Sequence, residues 1–171
     1  GTDYFVRAAI ITPENTAVSL QCLRLRTSDA NNSPPGHLRI SEIMYNPYPP
    51  NAAETAARYL IEDFEFVELH NDSPASIDLS GMWFDGMDFD FPQSGAPVIP
   101  PGGYAVIANN PHAFAMRYGA HVPLAGWVLH PFRSSKLDNG GQELALYRAD
   151  GTRVVWVLYD DFPLTTDGGG R

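Results

Sequence analysis

Residues 82–91 read MWFDGMDFDF, and no other stretch of the chain restricts the possible folds as strongly. Asp85-Gly86 separates two alternating runs and predicts a two-residue type I′ hairpin turn, in which both central residues take positive φ. In the second arm Met87, Phe89 and Phe91 fall on one face, with Asp88 and Asp90 on the other. In the first arm Met82 and Phe84 share a face, which turns Trp83 to the opposite side.

The same alternation recurs along the chain. YFVRAAII (4–11) and VSLQCLRLRT (18–27) read as two strands around a PEN turn, followed by the Pro/Gly-rich linker SDANNSPPG (28–36). So short a strand pair cannot bury enough surface to fold alone. We therefore divide the chain into residues 1–33 and the domain 34–171. The first part is a strand pair and linker, either left from a preceding β module or docked on the larger domain. LRISEIMY (38–45) sets Leu38, Ile40, Glu42 and Met44 against Arg39, Ser41, Ile43 and Tyr45. FEFVELHN (64–71) and YAVIA (104–108) are further strands, and QELALYR and RVVWVLY form a second hairpin around Asp150-Gly151. A short helix is expected within AAETAARYL, and a second over about 111–118. There Asn110 caps, Pro111 opens, Gly119 ends the helix, and Phe114 and Tyr118 form its buried stripe. Fifteen Gly and fifteen Pro fit many short elements joined by tight turns. Roughly seven strands with one helical turn predict an all-β fold, a β-sandwich.

Chemistry is first suggested by EDFEFVELHND (62–72), where Glu68 and His70 stand two apart on one strand face. With Val67 and Leu69 directed inward, Phe66, Glu68 and His70 face solvent, where polar residues belong. A zinc or iron site needs three or more converging ligands, and only two are supplied locally. Asp85, Asp88 and Asp90 offer hard oxygens that suit calcium, but without the DxDxDG pattern of a calcium loop. Their alternative reading is a turn residue and the polar face of a strand. Trp83 and Trp127 are candidates for an exposed stacking surface for sugars, while Trp156, alternating with Val154 and Leu158, reads as core. The net charge of −9 opposes both nucleic-acid phosphates and an anionic membrane surface. Cys22, the single cysteine, excludes an internal disulfide and a cysteine-based zinc site. No apolar run reaches the length of a membrane-spanning helix. The opening Gly1 suggests a processed form or an excised fragment.

Three ordered segments, ISEIMYNP, DFEFVELHNDSPASIDLSG and IPPGGYAVIANNPHAFAMRYG, are similar to the lamin-tail domain. More specifically, they resemble its bacterial form, found in secreted or surface multidomain proteins. LDNGGQELALYRADGTRVVWVLYDD extends the likeness, which spans about residues 38–170. Many members carry Trp directly after the SG of DLSG, whereas here Met82 holds that place. The resemblance implies an immunoglobulin-like β-sandwich without catalytic residues or cofactor, secreted or at the cell surface, that binds a protein or polysaccharide ligand. Two alternatives stand beside this expectation. One is a carbohydrate-binding module using Trp83 and Trp127. The other is a metal-dependent hydrolase built on Glu68, His70 and the nearby aspartates.

Overall fold

The computed structural model describes residues 3–11, 17–27, 38–119, 123–126 and 136–160. Its elements in chain order are β1 (Asp3–Ile11), β2 (Ala17–Thr27), β3 (Leu38–Met44), α1 (Ala52–Ala56), a 3-10 turn (Glu62–Phe64), β4 (Phe66–Asn71), β5 (Ile77–Asp78) and β6 (Trp83–Asp85). They continue with β7 (Phe89–Asp90), β8 (Val98–Ile99), β9 (Tyr104–Ala108), α2 (Pro111–Tyr118), β10 (Leu124–Gly126), β11 (Gly141–Tyr147) and β12 (Arg153–Asp160). A six-stranded sheet has the order β1-β2-β12-β11-β6-β7, a four-stranded sheet the order β10-β9-β4-β3, and β5 and β8 form a separate ladder. All neighbours are antiparallel except β9 and β10. The hairpin β1–β2 joins the larger sheet where β2 pairs with β12, at Thr27–Val157 and Arg26–Leu158.

The core lies between the two larger sheets, as expected of an immunoglobulin-like sandwich. Phe84, Phe89, Leu144, Leu146, Val157 and Tyr159 reach it from one side, and Leu38, Ile43, Tyr45, Val67, Leu69 and Ile107 from the other. Each such side chain withdrawn from water contributes about 1.5–3 kcal/mol. Tyr45 and Tyr159 pack across the layer with ring centroids 5.0 Å apart, and the Tyr159 hydroxyl donates to the Asp138 carbonyl at 2.9 Å. Met82, Met87 and Phe91 are buried with them, so Met82 occupies the inward position expected of it.

Strict alternation fails in β3, and a bulge is the reason. Ile40 pairs with Leu69, but the next pair is Glu42 with Glu68, which leaves Ser41 extra. The inserted residue reverses the facing of everything after it. Leu38 and Ile40 point inward before the bulge, Ile43 and Tyr45 after it. Glu42 and Met44, expected on the face of Leu38, therefore lie on the outer one.

The turn after β6 also differs from expectation. Trp83 pairs with Asp90 and Phe84 with Phe89, which leaves the four residues 85–88 in the loop. Gly86 has φ of 91° but Asp85 does not take positive φ, so the turn is not type I′. The glycine is required because a Cβ there would stand 2.0 Å from the Glu143 carbonyl oxygen. Met87 is buried all the same, on the inward side expected of it. The second hairpin turns at Arg148–Gly151, with Gly151 N–H donating to the Arg148 carbonyl and Gly151 at φ 83°.

Both helices begin on asparagine caps. Asn110 Oδ1 accepts from the His112 and Ala113 N–H groups, and Pro111 takes the first helical position. Asn51 accepts from Ala53 and Glu54, while Glu54 Oε2 accepts in return from the Asn51 N–H at 2.8 Å, a capping box. The Glu54 side chain is 2% exposed because it also receives Arg117 of α2 in a two-pronged pair, Nε to Oε1 at 2.9 Å and Nη2 to Oε2 at 2.6 Å. Arg117 Nη1 donates to the Tyr48 carbonyl, and its guanidinium lies 3.3 Å from the centre of the Phe64 ring. The pair draws the Glu54 carboxyl below the usual carboxylate range. It ties the long 46–63 connection to α2. Glu54→Ala strands a half-buried guanidinium and is expected to cost ~3 kcal/mol in urea melts. A Glu54→Ala/Arg117→Met double variant should recover part of that loss.

Candidate binding surface

The register of β3, β4 and β9 arranges the outer face of the four-stranded sheet in three rows: Arg39–His70–Tyr104, Glu42–Glu68–Val106 and Met44–Phe66–Ala108. In the first row Arg39 bonds Asp72, and the His70 ring stacks on Tyr104 with centroids 4.4 Å apart. The third row is covered by α2. Phe66, expected to face solvent, is 5% exposed because Phe114 and Tyr118 pack edge-on against it at 5.1 and 5.5 Å. Phe114 is buried beneath the helix, while Tyr118 stays 40% exposed at its end. The expected helical stripe is thus half covered.

The acidic pair of the middle row lies open beside the end of α2, while Val106 is buried. Between Glu42 and Glu68 on the floor and Phe114, Tyr118 and Gly119 at the side is a cleft of about 220 Å³. Ser41 Oγ, turned outward by the bulge, donates to Glu68 Oε1 at 2.8 Å. Glu42 keeps contact with solvent, but partial burial and then the neighbouring negative charge of Glu68 raise its carboxyl above its ordinary value. Burial likewise raises the Tyr118 phenol, partly offset by its bond to Arg117.

A second row crosses the outer face of the six-stranded sheet: Asp90, Trp83, Tyr147 and Arg153. Trp83 and Tyr147 stack 4.5 Å apart at 13°, so each ring covers one face of the other. They stand upright across neighbouring strands instead of lying flat. Trp156 is on this outer face and not in the core. Val157 and Tyr159 point inward, so Trp156 points outward with the exposed Leu158, beneath the Arg153 guanidinium at 5.3 Å.

A family model for the Lamin Tail Domain matches residues 31–161. The chain belongs to the lamin-tail domain family. Members are immunoglobulin-like domains that serve generally as non-catalytic interaction modules. Among curated proteins none matches the chain. The family match begins after β1 and β2, so the hairpin added to the edge of β12 lies outside it.

The lamin-tail scaffold places most of the residues singled out in the sequence. Glu68 and His70 share the outer face, as period two requires. Asp85 Oδ1 accepts from the Gly86 N–H at 3.0 Å, and Asp90 lies beside Trp83. Among the described residues no three His, Cys, Asp or Glu side chains stand together in a way that could hold a metal ion. Trp127 lies outside the described residues. Glu42 was placed on the wrong face by strict alternation, and nothing in the local pattern marks the Ser41 bulge. Glu54 had a readable signal, since it stands three residues after Asn51 as a capping box demands.

Glu65 carries a further property of this lamin-tail domain. Its side chain is 2% exposed, and Oε2 accepts the Leu137 N–H at 2.9 Å. Burial raises its carboxyl to about 7, opposed by the Leu137 bond, assisted by the charge of Glu62 and opposed by Lys136. The folded state therefore holds this proton more tightly than the unfolded one. The resulting stability is complete below the ordinary carboxylate range and is lost as pH rises through about 7. Glu65→Gln keeps an acceptor for Leu137 and should flatten the decline. Urea melts at pH 5 and above pH 8 should differ by about 2.5 kcal/mol less in the variant than in the parent.

Proposed function

We propose that this lamin-tail domain is an interaction or adhesion module of a secreted or cell-surface multidomain protein, and that it recognises a protein ligand. The observation that carries the reading is the outer face of the four-stranded sheet. Tyr104 and Tyr118, each 40% exposed, flank an open acidic row on a rigid scaffold. Exposed aromatic surface around a recess is typical of contact patches. The buried polar side chains Glu54, Glu65, Asn71 and Ser73 are engaged in structural hydrogen bonds instead. The net charge of −9 favours partners with basic surfaces. A partner captured from surface-protein fractions should protect Tyr104 and Tyr118 in hydroxyl-radical footprinting. The Tyr104→Ala/Tyr118→Ala variant should bind it about tenfold or more weakly. A partner that protects only other faces would defeat this assignment.

A carbohydrate-binding reading draws on Trp83 and Tyr147, flanked by the polar ends of Asp90 and Arg153. It is the weaker one, because the Trp83–Tyr147 stack already occupies one face of each ring. It would require a glycan-array signal from the folded domain that Trp83→Ala abolishes; silence of the folded parent on the array removes it.

A further inference from the structure

Glu42 and Glu68 are direct cross-strand partners. Such positions bring Cβ atoms to ~4.5–5.5 Å, and like charges there oppose folding. Among the described residues no basic side chain lines the cleft above them, whose other walls are Phe66, Val106, Phe114, Tyr118 and Gly119. Arg39, on the same strand, is held by Asp72, and Arg117 by Glu54. The eight-residue helix α2 ends at Tyr118 and Gly119, bringing its electronegative carbonyl end to the same cleft. Ser41 holds the Glu68 carboxylate in place from the side. The recess therefore combines aromatic walls with negative charge from three directions, and among the described residues Arg117, which bonds Tyr118 at its wall, is already paired with Glu54.

Size narrows the occupant. A cleft of about 220 Å³ is smaller than the ~300–1,000 Å³ that encloses whole small molecules. It has room for roughly seven waters, or for one long side chain. An aliphatic stem can lie against Phe114 and Tyr118 while its cationic head meets the two carboxylates. We propose that this cleft receives a basic side chain, lysine or arginine, presented by the protein partner. The assignment rests on the interaction reading above and names its chemistry.

The test is an amide chemical-shift titration of the labelled protein with end-blocked pentapeptides of glycine carrying one central residue. Central lysine or arginine should give saturable shifts at Glu42, Glu68, Val106 and Gly119 that fade at about 0.5 M salt. Central acetyl-lysine should give none. Glu42→Gln/Glu68→Gln, which relieves the repulsion, should melt no lower than the parent yet bind about tenfold or more weakly. Absence of saturable shifts, equal response to acetyl-lysine, or undiminished binding by the folded double variant overturns the proposal. A protein partner that binds parent and double variant alike also overturns it, while leaving the interaction reading intact. Peptide binding at the cleft with no protein partner recovered supports the cleft and counts against the broader reading.

Discussion

One inserted residue in β3 decides what the outer face of this domain can be. Without the bulge at Ser41, a seven-residue strand in strict alternation would send either Leu38 and Ile40 or Ile43 and Tyr45 to solvent. Each exposed pair would forfeit several kcal/mol of burial, by the ~1.5–3 kcal/mol that such a side chain contributes. The bulge lets both pairs enter the core and puts Glu42 and Met44 outside. Met44 then helps seat α2 over Phe66, and Glu42 comes to oppose Glu68. Packing on one face thus generates the electrostatics of the other.

The remaining polar burial holds this arrangement still. Asn71 is fully buried at the end of β4, where its amide donates to the Ala75 and Ile99 carbonyls and its oxygen accepts from Ser73. Its backbone exchanges hydrogen bonds with Gly102 and Gly103. The loop after β4 and the turn before β9 are thereby locked together. At the other end of the face, Asn109 and Asn110 bind the 3-10 turn through the Glu62 carbonyl and Asp63, and Arg117 clamps Glu54. These bonds fix α2 against the sheet, so the cleft at its end is a built recess.

Much of the fold was legible in the residues. The strands around Val67, Ile107 and Leu144 appear within a residue or two of their expected bounds, because period two and turn chemistry are local. Asn110, Pro111 and Gly119 delimited α2 for the same reason. The resemblance to the lamin-tail family was likewise readable from four ordered segments. Less was legible of the surfaces. Trp156 looked like core because valine and leucine surround it, yet its facing follows from the pairing of β12, which places Val157 and Tyr159 inward. Phe66 looked exposed because α2, which covers it, comes from 45 residues later in the chain.

The amino-acid sequence by itself determined the all-β class, the ends of α2, the placement of Met82, Met87 and Phe89 in the core, and the family. Those depend on backbone geometry and side-chain polarity over a few residues. Only the tertiary structure decided that Glu42 meets Glu68, that Glu65 is buried and holds its proton to about neutral pH, and that Glu54 belongs to Arg117. Each of these joins groups far apart in the chain or depends on a bulge. A carboxylate's charge state follows from the water it loses and the charges it meets.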